Sequence, residues 1–476
     1  MSGFPPDPRR WKALALLGAA FFMVILDATI VLTAIPSMQK DLGLTVAGVQ
    51  WVLTGYAVSF GGLMLLFGRV ADVTERRGVF LVGLALFVGS SLICGLAWSG
   101  SALIVGRVLQ GVSAAIMAPT ALSIVLATFR DPAERNRALG VWGGLGGIGA
   151  TAGLLLGGVI TSSFGWEWIF FVNVPIGVAL IVLVPVLVAK SRDQVAVRRF
   201  DVAGALTATA ALVLLIHAIT NAPEAGWSSA VTLVELAAAV VLLGLFMVIE
   251  SRSAAPLVPL RIFRRRSLAA GNLVIFAVGL TVDAMLFPLA LYTQQVLGYS
   301  ALQFALTSAV MTGMTIAGAF AGQAAVTRMG LRPIAVPALL LIVVGTLLLV
   351  SISVEGTFFG DLFWGLLIFG PGMGAAFVAS QIAALDGVAE QDSGLAAGLV
   401  DTSFNIGSAL GIAIVTSVTL SVAGGAGHAD SAEALTEGLR AAFSVSAAFA
   451  VLGLAAAFLI PGRLRTAPEP ETAVRH

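Results

Sequence analysis

The chain is poor in the residues from which catalytic and metal sites are usually built. It holds one cysteine, Cys94, which excludes disulfides and cysteine-based metal sites. Its three histidines, His217, His428 and His476, stand far apart in no ligand spacing, so no metal is expected. No constellation of nucleophile, base and orienting group stands out, so neither an enzyme nor a cofactor is expected. Charge is scarce too: Asp, Glu, Lys and Arg make up 11% of 476 residues, too few for the polar shell of a soluble protein. Alternating strand patterns, which would announce a membrane barrel, are absent. The near-neutral net charge of +1 gives no reason to expect a nucleic-acid partner.

What the chain does have is apolar length. Hydrophobic residues make up 58% of it and the mean hydropathy is +1.01. Fourteen apolar runs rich in Leu, Ala, Val and Gly follow one another, from roughly 13–33 to 440–461, each near the ~20 residues that a membrane-spanning helix needs. Backbone polar groups in a bilayer must be paired within the segment, so these runs predict an all-α polytopic membrane protein with lipid as its main surroundings. The basic residues are sorted. Apart from Lys40, Arg107 and Arg440, every Lys and Arg lies at a terminus or in an even-numbered gap between runs. The positive-inside rule places those gaps and both termini in the cytoplasm. The plasma membrane is the expected location. Trp51, Trp98, Trp166, Trp168 and Trp227 fall at outer ends of spans, where indole rings favour the headgroup layer. No A-x-A-like site follows the first run, which continues into Pro36, so a retained first helix is expected.

Two longer basic gaps, Lys190 to Arg199 and Ser251 to Arg266, set two spans apart from the rest. The expected organisation is a six-helix bundle over 1–190, linkers and two additional helices over 191–266, a second six-helix bundle over 267–462, and a cytoplasmic tail over 463–476. A faint repeat relates the blocks: Gly68, Arg76 and Arg77 after span 2 are echoed by Gly322, Arg328 and Arg332 after span 10. Two halves related by an axis along the membrane normal are the pattern of a rocking transporter, here expected to work as a monomer on small molecules.

Several motifs fall on these spans. Gly68-Arg69-Val70-Ala71-Asp72-Val73-Thr74-Glu75-Arg76-Arg77 ends span 2, with Asp72 and Arg76 at a spacing that pairs them on a continuous helix. Arg107-Val108-Leu109-Gln110-Gly111 lies in span 4, and Gly149, Gly153, Gly157 and Gly158 form a small-residue face in span 5. Gly144, Gly146 and Gly149 also fit a dinucleotide fingerprint, but they lie inside a membrane run with no strand before them, so helix packing is the better reading. Together these segments resemble the major facilitator superfamily, and the first resembles its G-x-L-A-D-R-x-G-R-R loop with Glu75 at the second Gly. The span 5 segment is similar to the antiporter motif G-x-x-x-G-P-x-x-G-G, with Leu154 at the Pro position. Leu26-Asp27-Ala28-Thr29-Ile30-Val31, Trp51 with Tyr56, and Trp166 through Asn173 to Pro175 resemble the fourteen-span drug:proton antiporters within it. The resemblance implies a cytoplasmic gate at Gly68, Asp72, Arg76 and Arg77, closing against span 13 near Ser393.

Ionisable groups inside spans cost ~2.5–3.5 kcal/mol each on the milder scale, so each is expected to face a cavity or a partner. Asp27 lies ~22 Å above the inner end of span 1, and Arg107, entering from the other side, ~21 Å above the same surface. Equal depth pairs them. Either they are a static pair fixing helix packing, or the carboxylate alternates between Arg-paired and protonated states. The resemblance, which associates these positions with cation coupling, favours the second. Asp283 and Asp401 bring acid into the second half, Asp401 alternatively as a helix cap. With Gln110 and Tyr56 they are candidates to line a substrate cavity. His217 and Glu235 are expected to pair across the additional hairpin. The resulting expectation is a secondary active transporter that exports amphipathic, cationic drugs or antibiotics in exchange for protons by alternating access. The alternatives are a same-fold transporter of a narrower metabolite, siderophore or amino acid, and a membrane sensor.

Overall fold

The structure, a computed structural model, describes residues 8–129, 131–188, 201–253, 256, 265–386, 393–425 and 431–460. The expected tail over 463–476 and most of both linkers lie outside the described residues. Those that are described form helices and short turns, with no strand among them. Thirteen helical stretches are long and apolar enough to cross a membrane. A further helix, Pro132–Phe164, is longer than any span requires and brings the crossings to fourteen.

The first crossing is α1 (Arg10–Ile30), carried through a 3-10 turn at Val31–Ala34 into α2 (Ile35–Leu42). Then come α3 (Val46–Val73), α4 (Arg76–Gly95), α5 (Gly100–Thr128) and α6 (Pro132–Phe164). The sixth crossing is α7 (Trp168–Phe171) with α8 (Asn173–Leu187), and the hairpin α9 (Val202–Ala225) and α10 (Ala230–Arg252) follows. The second block has α11 (Arg266–Leu291), ending in a π-helical turn at Tyr292–Val296, α12 (Ala301–Met329) and α13 (Arg332–Leu349). It closes with α14 (Phe363–Leu385), α15 (Ser393–Gly425) and α16 (Ala432–Ala457). Polar side chains start many of these helices by accepting from their first free backbone N–H groups: Thr45 from Gly48, Ser99 from Ala102, Asp131 from Glu134 and Ser431 from Ala434.

In lipid there is little hydrophobic drive between helices, so small residues that let backbones approach decide who packs on whom. The span 5 glycines illustrate this. A Cβ on Gly153 would sit 2.0 Å from Thr29 Oγ1 and 2.8 Å from the Leu26 carbonyl, and one on Gly157 2.5 Å from Thr33 Oγ1. Gly149 also faces α1, whereas Gly158 faces Ala301 and Ala305 of α12. α6 is therefore pressed on α1 by three of the four glycines and on the second block by the fourth. With Leu154 at the Pro position, α6 runs unbroken.

Helices α1 to α8 pack among themselves, as do α11 to α16, and the two groups meet along two seams, α3 with α15 and α6 with α12. The faint repeat has a structural counterpart. Arg77 at the start of α4 donates to the carbonyls of Pro185 and Val188 at the end of α8. Arg332 at the start of α13 donates to the carbonyl of Ile460, past the end of α16. In both blocks a basic residue opening the third helix satisfies the free carbonyls that end the sixth. The hairpin lies outside this frame: α9 touches both α3 and α15, and α10 packs on α9 with most of its surface uncovered.

Two expectations need correction. The helix breaks between Asp72 and Arg76, because Thr74 is extended and Glu75 caps α4 by accepting from Gly78. The two residues therefore do not share one continuous helix. The Asp72 side chain and the first side chains of α15 lie outside the described residues, and Gly68 rests near Pro119 of α5. Trp166 is no headgroup anchor: it is buried, and its indole N–H donates to Asp41 at 3.0 Å. Trp98, Trp168 and Trp227 are exposed as expected.

Candidate functional site

Five helices converge on Asp27. It lies on α1 one turn before the 3-10 turn and is fully buried. Arg107 of α5 is equally buried and donates from Nη1 to Asp27 Oδ2 at 2.5 Å. The same Nη1 reaches Gln110 Oε1, one turn along α5, at 2.9 Å, and Nε donates to the carbonyl of Val52 on α3 at 3.0 Å. The Tyr56 ring lies 4.3 Å from the guanidinium carbon, close enough for a cation-π contact, and its hydroxyl donates to the Val24 carbonyl.

The other carboxylate oxygen is held by amides. Oδ1 accepts from Gln110 Nε2 at 3.1 Å and from Asn173 Nδ2, at the start of α8, at 2.8 Å. Gln110 Nε2 also donates to Ser91 Oγ at 2.9 Å, and its Oε1 lies 3.4 Å from Cys94 Sγ, both on α4. A buried ion pair costs several kcal/mol per ion in desolvation, so it persists where further hydrogen bonds satisfy each oxygen. Here each has them. Asp27 and Arg107, matched by depth in the sequence, are brought together. Gln110 and Tyr56, proposed as cavity lining, instead sit inside this packed network.

Sequence reasoning missed the rest of the shell. Asn173 entered only as part of a motif, and Ser91 not at all, although an amide between Val172 and Val174 in an apolar run is itself a signal that a polar partner is near.

In the second block Asp283 of α11 accepts a hydrogen bond from Ser408 of α15. Asp401 lies two turns inside α15, past the first-turn N–H groups, so it cannot cap that helix. Its backbone carbonyl accepts from Asn405, whose Cβ faces Gly61 of α3 across the seam. The structure does not join either acid to Asp27. In the hairpin, His217 Nδ1 lies 3.1 Å from Glu235 Oε2, and Asn221 Nδ2 lies 2.9 Å from His217 Nε2. The hairpin is fastened to α3 where Thr220 donates to Gln50 Oε1 at 2.9 Å. Among the described residues no group of His, Cys, Asp and Glu could hold a metal ion.

Comparison with known proteins places this arrangement in context. Residues 17–412 match the profile described as the Major Facilitator Superfamily. The puromycin resistance protein pur8 of Streptomyces alboniger is 34% identical over 451 residues, covering 94% of this chain and 89% of its own length. The cephamycin export protein CmcT of Amycolatopsis lactamdurans is 36% identical over 426 residues, covering 86% and 84%. Among solved structures, a bacterial homolog to the human lysosomal transporter Spinster, inward-facing and unoccupied, superposes with a TM-score of 0.65 over 96% of this chain and 98% of that one. At 18% identity the likeness is one of fold alone.

Proposed function

This chain belongs to the Major Facilitator Superfamily, and from that premise we propose that it exports amphipathic antibiotics or drugs across the plasma membrane in exchange for protons. The family and the relatives above are transporters, and two of those relatives are named for resistance to, or export of, an antibiotic. The observation that carries the coupled reading is the buried set of Asp27, Arg107, Gln110 and Asn173. It holds one carboxylate, away from water, between a cation and two amides. A proton that reaches Asp27 neutralises it and releases Arg107, so the charge that attracts a cationic substrate changes with the proton. Asp283 and Asp401, on the second block, supply the acids that meet such a substrate. The two blocks rock about the seams α3–α15 and α6–α12, both termini are cytoplasmic, and Arg76 with Arg77 belongs to the gate on that side. The alternative of a single endogenous metabolite is favoured by the relative named for cephamycin export.

The test is transport by purified protein in liposomes with an acidic lumen and a panel of amphipathic amines, neutral antibiotics and peptide-derived antibiotics. Antiport predicts accumulation in the lumen above protein-free liposomes, abolished by a protonophore. Several accumulated solutes support drug export, and one alone supports the narrower reading. Solutes that only run down their own gradients, whatever the pH difference, would refute proton exchange.

A further inference from the structure

Asp27 must be served in two protonation states if it carries the proton, and the two amides beside it are not equally free to do so. Gln110 is committed at both ends. Its Nε2 donates to Asp27 Oδ1 and Ser91 Oγ, and its Oε1 accepts from Arg107 and faces the Cys94 thiol. Turning it over would set its oxygen against the Asp27 carboxylate and its N–H group against the Arg107 guanidinium. Asn173 is fully buried and makes one side-chain bond, from Nδ2 to Asp27 Oδ1, while no donor reaches its Oδ1 among the described residues. A buried amide oxygen without a donor costs about 1–3 kcal/mol, so its orientation is set by the ionised carboxylate that needs the N–H.

We propose that Asn173 is the positioning residue that follows the charge of Asp27: its amide donates to the carboxylate and, turned by about half a rotation, accepts from the carboxylic acid. The inference rests on the coupling reading above. A proton arriving from water forms an O–H bond at Oδ1 and no other covalent bond changes. Arg107, bonded to Oδ2, has no lone pair to accept that O–H, and Gln110 is locked, which leaves Asn173 Oδ1 as the acceptor. The other ionisable groups around Asp27 are Tyr56 on α3, whose hydroxyl is spent on Val24, and Cys94 on α4, whose thiol faces Gln110. Asn173 opens α8, so a turn of its amide reports the proton to the sixth crossing.

Infrared difference spectra of the purified protein in lipid, recorded between high and low pH, test this. The expected spectrum has a carboxylic acid C=O band that vanishes in Asp27→Asn. That band moves to higher wavenumber in Asn173→Leu, where the acid has lost its acceptor. Wild-type protein carrying asparagine labelled with carbon-13 at the side-chain carbonyl should show an amide band that shifts with the label, a measurement that requires no substitution at Asn173. Uptake driven by a pH gradient should fall about tenfold in Asn173→Leu. An Asp27 band that Asn173→Leu leaves in place, with no label-sensitive amide band in the wild-type spectrum, overturns the role of Asn173 and leaves the coupling reading standing. No acid band from Asp27 at any pH overturns both.

Discussion

At the scale of single residues, Asp27 and Arg107 distinguish a static pair from a working one. Removing one member of a buried pair strands the other charge, at about 3–5 kcal/mol, so Arg107→Leu should unfold at markedly lower temperature than the wild type. Asp27→Asn is different, because the amide is nearly isosteric and can still bond to Gln110 and Asn173. In a coupling pair it should retain most of the thermal stability and lose uptake driven by a pH gradient. Asp27→Asn protein that still concentrates solute against its gradient would move the coupling role to Asp283. The pair was legible in the sequence because depth along a helix is arithmetic and unpaired charge in lipid is costly. The amides were not, since Asn173 and Ser91 gain their roles from the packing of α8 and α4 onto α1 and α5, which no spacing within one span encodes.

At the scale of elements, the glycines of α6 form a graded series along one contact with α1. At Gly149 an added Cβ meets Ile25 at 3.2 Å and the Phe22 carbonyl at 3.3 Å, whereas at Gly153 it meets Thr29 Oγ1 at 2.0 Å and the Leu26 carbonyl at 2.8 Å. A few tenths of an ångström of give suffices at the first position and not at the second. Gly149→Ala should therefore be tolerated, and Gly153→Ala should destabilise by about 1–3 kcal/mol, read as a lower unfolding temperature of the purified protein. Equal effects would mean that α6 does not pack on α1 at this register. Small-residue spacing made this face readable as a packing surface before any partner was known. The loop after span 2 was less readable. Pairing Asp72 with Arg76 assumed one continuous helix, whereas Thr74 is extended and Glu75 starts a new helix by accepting from Gly78.

At the scale of the whole molecule, the two blocks touch at the end of the bundle that carries the loops after α2 and α6. There Gln295 Nε2 donates to Gln39 Oε1 at 2.8 Å, and the backbone N–H of Leu302 lies 3.3 Å from Ser162 Oγ. The count of crossings was visible in composition. The seams were not, because a contact such as Gly61 on Asn405 joins positions more than three hundred residues apart. If the blocks alternate as proposed, the end at Gln39 and Gln295 parts in each cycle while the seams act as pivots. With Cys94 replaced by Ala, Gln39→Cys together with Gln295→Cys should be joined by a short, cleavable bifunctional thiol reagent. The joined protein should lose transport, and cleaving the link should restore it. Each single-cysteine protein treated with the same reagent should keep its activity, which separates locking from mere modification. Full transport with the link intact would show that this end stays closed throughout the cycle, and the rocking of two blocks would have to be abandoned.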